Sequence, residues 1–210
     1  MAMTKQEKLL KLWLIRKLKS QGYLTYAKIL REFDVQLLSE NSSAVAYLDP
    51  AKGLFAMHPT LDDNQVSVII RHEILHAYLQ HEKRLLDKLA KEHNLNPNEL
   101  DDYTITELKK ELYSNSLFNI AGDYEISNKG YTEKDKEIVR NLIFNGRVVS
   151  GLITEDEHPD WVDMSIEEMF DELRKQKQQD KNSSDDEKIV LGALQDETTF
   201  VDIEGHVYGV

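Results

Sequence analysis

The sequence predicts an α+β chain that is mainly helical, with a small β-hairpin or sheet ahead of its most chemically loaded helix. Apolar residues recur at helical spacing in several separate segments, while strand-like patterning is confined to residues 44–59 and the C-terminal stretch. The chain has 210 residues, 40% of them hydrophobic, which is enough to build a core.

Taken in order, Leu9, Leu10, Trp13, Leu14 and Leu18 give an amphipathic helix over residues 4–19 that ends near Gly22. Residues 24–38 continue the apolar pattern and predict a second helix, ahead of the polar break at 39–43. "AVAYLD" (44–49) and "GLFAMHP" (53–59) flank "PAKG", a hairpin signal with Pro and Gly in the connection. Asp62 or Asp63 can then cap one long helix running to about residue 91. A helix or helix pair covers 104–128 and stops at Gly130, and a short helix covers 133–144. Residues 146–164 read as a loop or short extended segment around Pro159 and Trp161. A last helix over 165–178 opens with Ser165 and Glu168, the spacing of a capping box. Residues 177–188 contain no apolar residue and read as a linker, which makes residues 1–176 one domain: N-terminal helices to residue 38, then a core over 40–175. The tail, 189–210, regains apolar residues and predicts a hairpin or a docking strand, one that could occupy a cleft as a self-inhibitory segment.

Composition removes several classes of function. Without cysteine there is no disulfide framework, thiolate–zinc site, thiol nucleophile or iron–sulfur cluster, so a transition metal would have to be held by His, Asp or Glu. The net charge of -12 argues against a broad nucleic-acid surface, since phosphate binding needs clustered cations. Lys5, Lys8, Lys11, Arg16, Lys17 and Lys19 against Glu7 alone give the first helix a local balance of +5, which reads as a solvated helix face. No apolar run approaches the ~20 residues of a membrane span. Lys11 and Arg16 bracket an apolar stretch too short for a signal core of ~7–15 residues, so a cytoplasmic location is expected.

The chemistry concentrates in "HEILH". His72 and His76 are four residues apart, so on a helix both imidazoles project to one side and can share one zinc ion at about 2.0–2.1 Å. Glu73 lies about 100° around from His72, where it can reach a water without ligating the metal. Val66, Val68, Ile69, Ile70, Ile74, Leu75 and Leu79 make the helix apolar nearly all round, and a buried helix carrying two His and a Glu must satisfy them. A catalytic zinc needs a third protein ligand and an open position. The candidates are His81, Glu82, Asp123, Glu125, His93, His158 and His206. On a continuous helix His81 points away from His72. Asp123 is better placed: it lies in the apolar helix "LFNIAGDYEISN" beside Ala121 and Gly122, and an acid in such a setting is paired or a ligand. Asn119, one turn earlier on the same face, suits an orienting hydrogen bond to a ligand. Glu125 falls about 200° around from Asp123 and reads as a surface acid. His81 and Arg84 read as helix-surface or ion-pair residues, with Glu82 as a partner.

"HEILHAYLQHEKR" followed by "FNIAGDYEIS" resembles the HExxH metallopeptidase-type domain of bacteria and phages that often stands beside von Willebrand-A-like domains. The resemblance spans about residues 40–175 and takes in the strand ending "LFAMHP" and the closing segment "GLITEDEHPDW…SIEEMFDEL". Two positions depart from it: Gln80 stands where that family often has glycine, and Ser127 where a second Asn is expected. The resemblance implies a zincin-like fold, zinc held by His72, His76 and Asp123, and Glu73 as general base. It implies a peptide or protein substrate, cleaved as zinc polarises the carbonyl and Glu73 activates water. In such folds an edge strand pairs with an extended substrate, a role that falls here to the strand ending at His58–Pro59. Tyr78, Tyr103, Tyr131 and His158 are all possible oxyanion donors, and the sequence does not select among them. The alternative from another class is a metal-stabilised binding or regulatory module without proteolytic activity. Glu73 separates the two, because a purely structural site has no use for a carboxylate between the histidines.

Overall fold

The computed structural model describes residues 3–42, 44–114, 117–144, 147–148, 153–182, 200–201 and 207–208. In chain order the elements are α1 (Lys5–Ser20), α2 (Leu24–Arg31), β1 (Asp34–Leu37), β2 (Ala46–Asp49), β3 (Leu54–Met57), α3 (Asp63–Tyr78), α4 (His81–Glu92), α5 (Asp102–Tyr113), α6 (Leu117–Gly130), α7 (Glu133–Arg140), β4 (Ile143–Phe144), β5 (Arg147–Val148), α8 (Thr154–Glu157), a 3-10 turn (Pro159–Trp161), α9 (Ile166–Asn182), β6 (Phe200–Val201) and β7 (Val207–Tyr208). The α+β class holds, with helices dominating. The chain divides into two compact units: Met1–Leu79 with Lys129–Ile153, and Gln80–Asn128 with Thr154–Val210.

The first unit packs α1, α2 and α3 around a three-stranded sheet. The sheet order is β1-β3-β2, with β1 parallel and β2 antiparallel to β3. The hairpin over β2 and β3 forms where the sequence puts it, and Gly53 closes it at φ 60°, a left-handed conformation that glycine adopts without strain. Two expectations change here. The helix predicted over 24–38 stops at Arg31, and Asp34–Leu37 becomes a strand. Phe33, Val35 and Leu37 alternate with polar Asp34 and Gln36, a period of two that buries Val35. As a result β3, expected to be an edge strand, is the centre of the sheet, with Phe55, Ala56 and Met57 buried. The edges are β1 and β2.

The core of this unit joins Leu14, Leu18, Leu30, Val35, Phe55, Val66, Ile70 and Ile74. Each fully buried side chain of this size stabilises by about 1.5–3 kcal/mol. Asp62 caps α3 in a reciprocal box, accepting from the Asn64 and Gln65 amides while Gln65 Oε1 accepts from the Asp62 amide. The single long helix expected through residue 91 is broken. Gln80 adopts φ 54° and ψ 40°, and α4 restarts at His81. No Gly or Pro marks the break, yet the position that the resemblance gives to glycine is the one that turns left-handed.

The second unit packs α4 against α5 and α9, burying Leu85, Leu89, Leu108, Leu112, Ile166, Met169, Phe170 and Leu173. The predicted Ser165–Glu168 box caps α9, with the Ser165 amide donating to Glu168 Oε2 at 2.8 Å and the Glu168 amide to Ser165 Oγ at 3.4 Å. α9 runs on to Asn182, six residues into the stretch read as a linker, where Lys and Gln, good helix formers without an apolar face, make up most of the extension. The rest of that stretch, 183–188, lies outside the described residues. The short helix over 133–144 ends at Arg140 and gives way to the β4–β5 pair, and the loop over 146–164 contains β5, α8 and the 3-10 turn. In the tail, Phe200–Val201 pairs antiparallel with Val207–Tyr208. No helix among the described residues is long and apolar enough to cross a membrane.

Candidate metal centre

α3 divides its circumference into three sectors. Val66, Ile70 and Ile74 enter the core of the first unit, and Val68 packs with Val139 and Ile153. The remaining sector carries His72, Glu73 and His76, all half-buried. His72 Nε2 and His76 Nε2 face each other at 3.0 Å, with ring centroids 4.7 Å apart and planes at 78°. Two nitrogens each about 2.0–2.1 Å from one tetrahedral ion would be about 3.3–3.4 Å apart. The pair therefore fits zinc to within a few tenths of an ångström, and its donor chemistry, two imidazoles, suits that metal.

Tyr131 joins the pair from the start of the unit's second segment. Its hydroxyl lies 2.7 Å from His72 Nδ1, the ring nitrogen turned away from His76. The next residue, Thr132, caps α7, and Asp135 Oδ2 accepts from the Thr132 amide at 2.9 Å and hydroxyl at 2.7 Å. Asp135 is in turn gripped by both Nη atoms of Arg71, the residue before His72. Arg71 and Asp135 are each only 4% exposed, so this pair is dry. Burial by itself would raise the Asp135 carboxyl; the Arg71 and Thr132 hydrogen bonds outweigh it and hold the group below its ordinary range.

The other residues singled out in the sequence fall as follows. Asp123 and Asn119 lie on α6 in the second unit, and both are half-buried. Glu125, read as a surface acid, is fully buried. It accepts from Arg84 Nη1 at 2.7 Å and Nη2 at 3.2 Å, and its Oε2 lies 2.9 Å from His81 Nε2. The ion-pair role of His81 and Arg84 holds, but the partner is Glu125, with Glu167 as Arg84's second carboxylate at 2.6 and 2.8 Å. Glu82 pairs with Lys109 instead. With α3 ended at Tyr78 and α4 starting at His81, the face expected for one continuous helix does not apply to His81 and Arg84. Arg84's hydrogen bonds to Glu167, then those to Glu125, keep its guanidinium firmly charged against the opposing effect of burial.

Among the possible oxyanion donors, Tyr78 and Tyr103 are largely exposed, and His158 stacks flat on Trp161 with centroids 3.8 Å apart. Tyr124 meets both of those rings edge-on and donates to Glu157 at 2.6 Å. His93 is exposed and pairs with Glu111. His206 lies outside the described residues. Arg71 and Asp135 escaped the sequence reading altogether; their signal is a lone cation inside an apolar helix that must be partnered somewhere. Compared with family models, curated proteins and solved structures, the chain matches none.

Proposed function

We propose that the protein is a zinc-dependent hydrolase of zincin-like architecture that cleaves peptide bonds, with His72, His76 and Asp123 as metal ligands and Glu73 as general base. The observation that carries this reading is the facing pair of Nε2 atoms at 3.0 Å, on a helix sector that also presents Glu73. Two imidazoles and one carboxylate are a donor set whose chemistry suits zinc. When bound, zinc supplies a lowered water pKa and a polarised substrate carbonyl. Glu73 takes a proton from the attacking water and returns it to the departing amine. β2, an edge strand that packs on α3, offers backbone groups along which an extended peptide can lie. Asn119, one turn from Asp123, orients that carboxylate.

The half-buried state of the pair favours hydrolysis over a closed structural site, whose ligands would be sealed from substrate. Elemental analysis tests the ligand set. Wild type is expected to carry about one zinc per chain, as a four-coordinate site requires. Asp123→Ala should lose it, and Glu73→Gln should retain it while turnover of a casein substrate falls about 10²–10⁴-fold. Full zinc in Asp123→Ala would remove that residue from the ligand set. Loaded protein with no hydrolysis of any peptide substrate would favour the binding-module alternative.

A further inference from the structure

His72 has two ring nitrogens with different neighbours: Nε2 faces His76 Nε2 at 3.0 Å, and Nδ1 faces the Tyr131 hydroxyl at 2.7 Å. A neutral imidazole carries one proton, and only the bare nitrogen can take a metal. Which nitrogen is bare depends on the hydrogen bond made by the other. We infer that Tyr131 is a positioning residue for His72: its oxygen accepts from Nδ1–H and thereby keeps the Nε2 lone pair turned toward His76.

The placement of Tyr131 is over-determined, which is what an orienting contact requires. It packs against the small core cluster formed by Val68, Val139 and Ile153. Its chain neighbour Thr132 is tied to Asp135, and Asp135 to Arg71. Arg71 adjoins His72 and Thr132 adjoins Tyr131, so the two strands of chain are fastened twice, once by a dry ion pair and once by the histidine–tyrosine contact. The contact lies wholly within the first unit, so the inference is independent of the third ligand. It rests on the metal reading only for its effect on affinity.

Tyr131→Phe removes the hydroxyl and leaves the ring packing in place. Long-range ¹H–¹⁵N spectra of metal-free protein, with His72 assigned by its loss in His72→Gln, report the tautomer at a pH where the ring is neutral. Wild type should show His72 protonated at Nδ1, and the variant should shift toward protonation at Nε2. Zinc affinity, read by competition with a chromophoric chelator, should fall about 10–100-fold in the variant. A wild-type His72 protonated at Nε2 overturns the inference without any variant, as does an unchanged tautomer in Tyr131→Phe. A tautomer that shifts while neither protein binds zinc upholds the positioning role and removes the metal reading instead.

Discussion

Arg71 and Arg84 sit on consecutive helices and solve similar problems differently. Arg71 meets one carboxylate, Asp135, and both partners are almost sealed from water. Arg84 is 28% exposed and is shared between Glu125, fully buried, and Glu167, one-third exposed. The first is a one-to-one carboxylate pair among the described residues, in which Arg71 otherwise meets only the Ser67 carbonyl at 3.3 Å and the Tyr23 ring at 4.0 Å. The second is a network in which Arg84 keeps one carboxylate if the other is removed, with His81 also beside Glu125. Burying charge is tolerated in both places because geometry is good, but only the first leaves a buried guanidinium without a carboxylate when broken. The two also differ in what lies next to them. The tight pair fastens the segment that bears Tyr131 to the helix that bears His72, whereas the network joins α4, α6 and α9.

The contrast can be broken by mutation. Asp135→Ala should have the largest effect, destabilising by about 3–5 kcal/mol in denaturant unfolding, since it leaves Arg71 without a carboxylate and also removes the carboxylate half of the α7 capping box. Replacing both partners, Arg71→Met with Asp135→Leu, should recover much of that loss; a double variant as unstable as the single one would contradict the stranded-charge account. Glu125→Gln should cost less, about 1–3 kcal/mol, because Arg84 retains Glu167 and some water. A loss equal to that of Asp135→Ala would erase the distinction between pair and network.

Acid gives a graded version of the same test. Both Asp135 and Glu167 are held below their ordinary carboxylate range: burial opposes, but hydrogen bonds from Arg71 and Thr132, and from Arg84, prevail. A depressed carboxylate contributes stability that is complete above its unfolded pKa of about 4 and disappears as pH falls through the folded value. Stability should therefore drop below about pH 4, and less steeply in Asp135→Asn than in wild type. The smallest effect is expected at the turn between α3 and α4. Gln80→Gly relieves a left-handed side chain and should stabilise by about 0.5–1 kcal/mol, visible as a modest rise in Tm.

Much of this was legible in the residues, for local reasons. Helix caps at Asp62 and Ser165, the Pro–Gly hairpin and the two histidines one turn apart depend only on neighbours in sequence. The break at Gln80 was hidden because a glutamine gives no sign that its φ is positive. β1 was hidden by its length: four residues of alternation are easily absorbed into the helical pattern before them. Glu125 could not be recognised as buried because its partners, Arg84 and His81, come from another helix. Tyr131 was one tyrosine among several candidates, and only its 2.7 Å approach to His72 Nδ1 separates it from the others.

The first unit is interrupted in sequence, with all of 80–128 spliced between α3 and the segment that returns at Lys129. Synthesis is directional, so the ribosome delivers His72 long before Tyr131, which follows 59 residues later. At about 5–20 residues per second that interval lasts roughly 3–12 s. Throughout it the nascent α3 has neither Asp135 to neutralise Arg71 nor Val139 to cover Val68. Until Tyr131 arrives, His72 Nδ1 lacks the hydroxyl that stands 2.7 Å from it in the finished protein. The His72–Tyr131 contact is thus completed from the later half of the unit, and a pause in translation between 80 and 128 would delay it.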